Sequence, residues 1–249
     1  MPREHGGWGL TLEPVLLGLA VAWSFPGLLI GVAAFGAFLA RTPLKFVAVD
    51  VRRHRWRERS TLASRIAGAE LTVVAAAVAV AVAIAGARWL APIAVAAPLV
   101  AIEAWYDVRS RSRRLVPELC GAIGIAATAA AIVLADGDDA PLAAALWLVL
   151  AARSVGSIPY VRTQIARMHR RVTSARGSDL AQLATVAVGI LAVAVDARVL
   201  AGLGSIVVIA ALQVWWSRRP APPIKVIGVQ QMGLGVAVVA ATAVGVHLA

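Results

Sequence analysis

Hydrophobic positions run along this chain in long continuous blocks, separated by short stretches in which charged residues collect. Blocks such as LTVVAAAVAVAVAIAGA and GVQQMGLGVAVVAATAVGV lack the alternation of a half-buried strand. A helix needs about 20 apolar residues to cross a bilayer, where the backbone must bond within its own segment. The pattern therefore predicts an all-α fold, a polytopic membrane helical bundle of nine transmembrane helices. The predicted helices are 9–23, 26–49, 67–86, 89–106, 115–135, 140–160, 180–196, 198–216 and 226–248.

Composition supports this fold class and excludes several kinds of site. The chain is 60% hydrophobic with a mean hydropathy of +0.81, whereas soluble domains average about 45–50% apolar residues. The single cysteine, Cys120, excludes an intramolecular disulfide and a multi-cysteine metal site. The four histidines are scattered, without the spacing of zinc or haem ligands. We therefore expect no metal site.

The charged stretches alternate in composition along the chain. Of the 24 basic residues, 21 fall in connections that would share one side of the membrane. Because positively charged loops stay in the cytoplasm, residues 1–249 are predicted to form a single integral membrane domain with a cytoplasmic N-terminus and an outside C-terminus. The first residues are expected to be retained rather than cleaved as a signal peptide. Topology and lipid headgroups account for most of the net charge of +11, so membrane lipids are expected partners and nucleic acid is not.

Several ionisable residues fall within the predicted membrane segments or directly at their ends, where charges are rare and usually face a cavity or a partner. They are Glu13, Asp50, Glu70, Glu103, Asp107, Glu118 and Arg153. Most of them lie near the predicted cytoplasmic ends of their helices, at the level of His5, Trp8 and Tyr160. The acids, arginines and aromatic residues are therefore expected to converge on the cytoplasmic face.

The acidic residues each have a structural alternative. Glu103 and Asp107 share a helical face at i, i+4, where they could pair locally with Arg111 or Arg114. Glu118 lies near the start of the fifth helix, where the helix dipole favours a carboxylate. These acids are therefore either interfacial ion pairs or the rim of a polar cavity.

Arg153 lies too far inside its segment to act only as a topology signal. It either pairs with a carboxylate on another helix or binds an anion or polar headgroup. A guanidinium holds a phosphate or carboxylate bidentately without a metal, and Arg162 follows further along. The candidate ligand-binding residues are His5, Asp50, Glu103, Asp107, Glu118, Arg153, Tyr160, Arg162 and Gln164.

Two stretches carry a resemblance to a known family. PREHGGWGLTLEPVLLG, at 2–18, resembles the N-terminal signature of the YwiC-like family of bacterial membrane proteins. RSVGSIPYVRTQIARMHRR, at 153–171, resembles a second signature of that family. The resemblance extends over most of the chain and implies a multi-pass protein of the bacterial plasma membrane.

A more distant resemblance links YDVRSRSRRLVPELCGA to the motif after the fourth helix of the UbiA-type prenyltransferase superfamily. The matching residues are Tyr106, Arg113, Arg114, Pro117 and Gly121. This resemblance implies a nine-helix bundle with a cytoplasmic active site, in which aspartate-rich motifs after the second and sixth helices hold Mg²⁺-diphosphate. At the first motif only Asp50, and more distantly Glu58, remains. At the second, no carboxylate occurs before Asp179, so a Mg²⁺-dependent prenyl transfer is disfavoured.

Three functions remain open from the sequence. The chain could bind a lipid, isoprenoid-type or anionic ligand in a cytoplasm-facing cavity, as a divergent UbiA-like transferase that lacks the aspartate-rich motifs. It could instead be a small-anion transporter, since intramembrane arginine and paired acids also suit an ion path. A non-catalytic membrane scaffold, docking partners on its basic loops, is the third. The residues do not decide whether the protein is an enzyme, and no catalytic residue is assigned.

Overall fold

The computed structural model describes residues 5–109, 111, 113–137, 139–169 and 174–249, and the side chains of these residues from position 8 onward. Within these ranges the chain forms nine α-helices, one short 3-10 helix at Ala197–Val199 and no strand. The α-helices are α1 (His5–Val21), α2 (Phe25–Arg52), α3 (Glu58–Ala85), α4 (Leu90–Val108), α5 (Leu115–Asp136), α6 (Ala140–Met168), α7 (Arg176–Val195), α8 (Leu200–Trp216) and α9 (Ile224–Leu248). The predicted all-α helical bundle is confirmed.

Eight helices of the described ranges are long and apolar enough to cross a membrane, and α1, with 17 residues, is shorter. Large apolar side chains are exposed along the outer helices, for example Val73 and Ile84 on α3 and Val95 on α4. Such a surface is stable in lipid and unfavourable in water. The chain is therefore a multi-pass membrane protein.

The helices extend further into the charged stretches than predicted. Helix α3 begins at Glu58 rather than at 67, and α6 continues to Met168 rather than ending at 160. Polar residues on these extensions have partners: the Ser60 hydroxyl donates to Asp50, and the Gln164 amide donates to Ser217. The apolar pattern in the sequence ends where polar residues begin. The helix itself can continue past that point when its polar side chains find hydrogen-bond partners.

Helices α5 and α6 form the centre of the bundle, and α3 and α4 lie at its edge. Ala127, Ala129 and Ala131 on α5 are buried completely or almost so, as are Ala145 and Ala152 on α6. Small residues allow helix backbones to approach closely in lipid, where packing rather than the hydrophobic effect drives association. The centre is consequently filled by helix–helix packing.

Hydrogen bonds bring the basic connections together at one end of the bundle. Arg52 Nη1 donates to the Val108 carbonyl over 3.2 Å, and Arg167 Nη1 donates to the Ser217 carbonyl over 2.6 Å. We call this end, where residues 53–57, 109, 111, 113–114 and 217–223 lie, the basic end. At the opposite end Arg198 pairs with Asp139 across the connections of α5–α6 and α7–α8. The grouping of basic connections at one end agrees with the sequence prediction that every second connection is basic.

Candidate functional site

A row of polar side chains follows one face of α6 from its middle to the basic end. Arg153, Ser157, Tyr160, Gln164 and Arg167 recur every three or four residues, which is the spacing of a single helical face. Tyr160 and Gln164 are fully buried, and Arg153 and Ser157 are about as inaccessible, with 5% and 6% exposure. We call this row the α6 polar stripe. It joins three of the sequence-predicted candidates, Arg153, Tyr160 and Gln164, in one continuous feature.

Arg153 forms the deep end of the α6 polar stripe. It lies 13 residues after Ala140, about 20 Å along the helix from the opposite end. Its Nη1 donates to Gln231 Oε1 over 3.2 Å, and its Nη2 donates to the Gln231 carbonyl over 2.7 Å. Glu13 Oε1 is 3.9 Å from Nη2, which makes a loose ion pair beyond hydrogen-bond distance. Among the described residues Arg153 Nε has no hydrogen-bond partner.

Three glutamines connect Arg153 to the neighbouring helices. Gln231 on α9 accepts from Gln213 Nε2 on α8 over 3.3 Å. Gln213 Oε1 accepts from Gln182 Nε2 on α7 over 2.9 Å, and the same amide also donates to the Gly156 carbonyl. An amide buried in an apolar environment costs about 1–3 kcal/mol when it lacks a partner, so this chain of amides keeps polar groups inside the bundle at low cost.

Sequence reasoning did not select Glu13 or the three glutamines as ligand residues. Glu13 was recognised as an intramembrane carboxylate, but its proximity to Arg153 depends on the packing of α1 against α6 and α9. Its carboxylate lies on Gly235 of α9, where a Cβ would overlap with it. The available signal was the presence of amide side chains inside three apolar helices: Gln182 on α7, Gln213 on α8 and the adjacent Gln230 and Gln231 on α9.

A small cavity adjoins Arg153 and the glutamine chain. Its volume is about 10 Å³, which is space for roughly one water molecule. Its lining consists of Arg153, Gly156, Ser157, Gln182, Thr185, Ile206, Ile209 and Gln213. A cavity of this size does not hold a lipid or an isoprenoid chain in this conformation, and it has room for one water molecule beside Arg153.

Buried polar atoms without a partner concentrate in the same half of the bundle. Of the seven such side-chain atoms in the described residues, five belong to α6, α7 and α9. They are Arg153 Nε, Tyr160 Oη, Ser178 Oγ, Gln230 Oε1 and Gln231 Nε2. Native proteins leave few buried polar groups unsatisfied, so their concentration here makes this region the candidate site.

Two of the candidates at the basic end, Glu103 and Asp107, form ion pairs between helices. Arg41 Nη1 lies 2.7 Å from Glu103 Oε1, and Arg41 Nε lies 2.7 Å from Asp107 Oδ2. Lys45 Nζ is 3.3 Å from Asp107 Oδ1. These acids therefore form ion pairs, one of the two alternatives left open by the sequence, but their partners are Arg41 and Lys45 on the facing side of α2 rather than Arg111 or Arg114.

The remaining candidates form two further pairs. Asp50 accepts from Arg59 and Ser60 at 2.8 Å each, and Glu118 lies 2.8 Å from Arg162. Asp50 and Glu118 are thus each paired with a basic partner of their own.

The predicted convergence consequently divides into a buried stripe and a set of separate ion pairs. His5 begins α1, but its side chain lies outside the described side chains. Within the described ranges no group of three or more His, Cys, Asp or Glu residues is arranged to hold a metal ion.

A three-residue clamp closes the opposite end of the bundle. Arg198 Nη2 lies 2.6 Å from Asp196 Oδ2 and 2.8 Å from Asp139 Oδ1. Side-chain hydrogen bonds from Arg198 hold the pKa of the Asp196 carboxyl below its ordinary value of 3.8. A depressed folded-state pKa adds stability that is fully present above the ordinary value and disappears as pH falls through the lowered one.

The clamp predicts an acid-sensitive stability. We expect the melting temperature of the wild type to fall as the pH is lowered below about 4, and that of Arg198→Gln to fall less over the same interval. Differential scanning fluorimetry in detergent at a series of pH values measures both curves. Parallel curves for the two proteins would show that the clamp does not carry this acid sensitivity.

Comparison with known proteins gives one match. A family model described as YwiC-like protein matches residues 1–135, from the N-terminus through nearly all of α5. No curated protein and no solved structure matches the chain. The stretch 153–171, which resembled a second family signature, lies beyond the matched residues.

Proposed function

The chain belongs to the YwiC-like family, and on that premise we propose that it is a carrier of the bacterial plasma membrane that binds a small anionic solute at Arg153. The observation that supports the proposal best is the guanidinium of Arg153. It is 5% exposed, its Nε has no partner in the described residues, and its carboxylate counter-ion is 3.9 Å away. A buried membrane arginine whose carboxylate counter-ion lies beyond hydrogen-bond distance is typical of a substrate or ion pathway.

The chemistry of the guanidinium defines the ligand class. Nε and Nη2 lie on one edge of the group and present two parallel N–H donors, which match a carboxylate or phosphate. Glu13 lies near Nη2 and makes no hydrogen bond with it. An anion that accepts from both nitrogens would replace Glu13 as the counter-ion, and Glu13 would take up a proton as the anion binds, so that the site remains electrically compensated.

The α6 polar stripe supplies the route to this site. Its buried members Tyr160 and Gln164 lie between Arg153 and Arg167, whose guanidinium bonds to backbone carbonyls at the basic end. Entry from the cytoplasm follows from the predicted orientation, because the basic end is the cytoplasmic one. The proposed solute is small because the adjoining cavity has a volume of about 10 Å³, room for one water molecule, and must widen to admit even a small carboxylate or phosphate.

The proposal does not extend to prenyl transfer. Asp50, the acid that remains at the first UbiA-type motif, is already bonded to Arg59 and Ser60. Arg162, at the second motif, is paired with Glu118. Diphosphate held by Mg²⁺ requires clustered carboxylate oxygens, and these two positions supply one engaged carboxylate and a cation. A lipid or isoprenoid ligand would in addition need a wider cavity than the one beside Arg153.

Anion-dependent stabilisation tests the binding half of the proposal. We expect one member of a panel of small carboxylates and inorganic phosphate to raise the melting temperature of the wild type by roughly 5–10 °C at 100 times its Kd. Arg153→Gln should abolish this shift, and Arg153→Lys should weaken it because an ammonium lacks the planar fork.

The matched control is Arg162→Gln, which removes an arginine from the same helix and is expected to leave the shift unchanged. A full shift in Arg153→Gln, or no shift in the wild type with any anion of the panel, would refute binding at Arg153. Uptake of the stabilising anion into proteoliposomes then tests carriage, and its absence would refute the carrier function while leaving binding intact.

A further inference from the structure

The outward face of α4 carries an open groove near the basic end. Its volume is about 450 Å³, and its lining is Ala101, Ile102, Trp105 and Tyr106. Trp105 is 60% exposed and Ile102 39% exposed. From Ala101 to Trp105 the groove follows α4 for about 6 Å, so it offers an apolar surface next to the basic end.

Two arginines lie at the end of this groove. The Cζ atom of Arg109 is 3.3 Å from the centre of the Trp105 ring, so the guanidinium lies over the indole face. Arg52, from the end of α2, donates to the Val108 carbonyl over 3.2 Å. Neither arginine forms an ion pair with a carboxylate of the described residues. The groove therefore ends in uncompensated positive charge.

We propose that this groove binds an anionic phospholipid of the cytoplasmic leaflet, with one acyl chain in the groove and the phosphate between Arg109 and Arg52. A guanidinium stacked on an indole keeps its N–H edges free for a phosphate. The apolar groove next to the arginines favours a lipid over free phosphate, because an acyl chain gains apolar contacts that inorganic phosphate cannot make. Anionic headgroups are attracted to basic groups at this level of the membrane.

The site is independent of the proposed anion site at Arg153. Helix α4 packs mainly on α5 and makes a smaller contact with α2, whereas Arg153 lies on α6 and bonds to α9. Loss of lipid binding at α4 would leave the Arg153 proposal untouched, and the reverse also holds.

A second arginine–tryptophan pair provides a matched control. The Cζ atom of Arg219 lies 4.0 Å from the centre of the Trp215 ring, at the end of α8, and Trp215 is 50% exposed. Both pairs are four residues apart and lie at the basic end. If an arginine stacked on an interfacial indole were sufficient to select an anionic lipid, loss of either arginine would lower the lipid preference equally.

The test is native mass spectrometry of the protein released from nanodiscs that contain equal amounts of phosphatidylglycerol and phosphatidylcholine. We expect the wild type to retain one phosphatidylglycerol in preference to phosphatidylcholine. Arg109→Gln should lower that preference about fivefold, which corresponds to the binding free energy that one basic residue near the membrane surface contributes towards an anionic lipid. Arg219→Gln should retain the wild-type preference, and added inorganic phosphate should not displace the lipid.

A second variant tests the groove without changing its charge. Ala101→Trp fills the apolar groove and leaves the pair of Arg109 and Trp105 in place. It should also lower the retention of phosphatidylglycerol. Equal losses in Arg109→Gln and Arg219→Gln would reduce the effect to general interfacial charge and overturn the site. No lipid preference in the wild type, or full retention in Ala101→Trp, would overturn it as well.

Discussion

Replacement of Glu13 by leucine is expected to lower the melting temperature of the protein by roughly 6–20 °C. The substitution leaves Arg153 buried and charged, with only the neutral oxygens of Gln231 as partners. Removal of one member of a buried ion pair costs about 3–5 kcal/mol, and each kcal/mol changes the melting temperature of a chain of this size by about 2–4 °C. Thermal unfolding in detergent, followed by tryptophan fluorescence, measures the change.

The double variant Glu13→Leu/Arg153→Leu compares the stability that the ion pair gives with the stability that two apolar side chains give at the same positions. Because both charges are removed, we expect it to recover most of the lost stability, as buried pairs replaced by apolar residues commonly do. Glu118→Leu is the control, since its pair with Arg162 is about one-third exposed on both sides and contributes at most about 1 kcal/mol. A double variant as unstable as Glu13→Leu alone would show that the two charges do not stabilise each other.

The same double variant bears on the function of the pair. If the double variant folds well but no longer responds to anions, the wild type needs Glu13 and Arg153 for binding rather than for stability. Such a result would fit the loose 3.9 Å contact between them, because a pair retained for stability gains from short and bidentate geometry.

The sequence predicts those parts of the fold that depend on a single helix. Within the part of the chain that the structure describes, the nine apolar blocks become nine α-helices, and the spacing of Arg153, Tyr160 and Gln164 on one helix is sufficient to place them on one face. Positive charges in alternating connections predict one basic end. These features follow from local periodicity and charge, and they do not require knowledge of which helices are neighbours.

Contacts between helices could not be predicted in this way. Glu103 and Asp107 pair with Arg41, more than 60 residues earlier in the chain, rather than with the arginines that follow them. The amides of Gln182 and Gln213 have no periodic signal, because each is alone on its own helix. A single chain without aligned relatives carries no information on helix order around the bundle, so the buried polar network becomes visible only in three dimensions.

Replacement of Gly156 by leucine is the second large effect that we expect, because Gly156 lies where α6 and α7 pack most closely. A Cβ at this position would be 2.6 Å from Thr185 Oγ1 and 2.8 Å from Gln182 Oε1. The Thr185 hydroxyl cannot move freely, since it donates to the Ala152 carbonyl over 3.0 Å. Forcing a larger side chain into such a seam typically costs about 1–3 kcal/mol and occasionally more.

Gly204→Leu is the matched control, because a Cβ at Gly204 on α8 would have no heavy atom within 4 Å. We expect Gly156→Leu to lower the melting temperature by about 10 °C at the upper end of this cost, and Gly204→Leu to leave it nearly unchanged. Displacement of Gln182 should also break the amide chain to Gln213 and Gln231, so any anion-dependent shift should weaken in the first variant and persist in the second. Equal stability and equal anion response of the two variants would contradict both the close packing of α6 on α7 and the contribution of the glutamine chain to the Arg153 site.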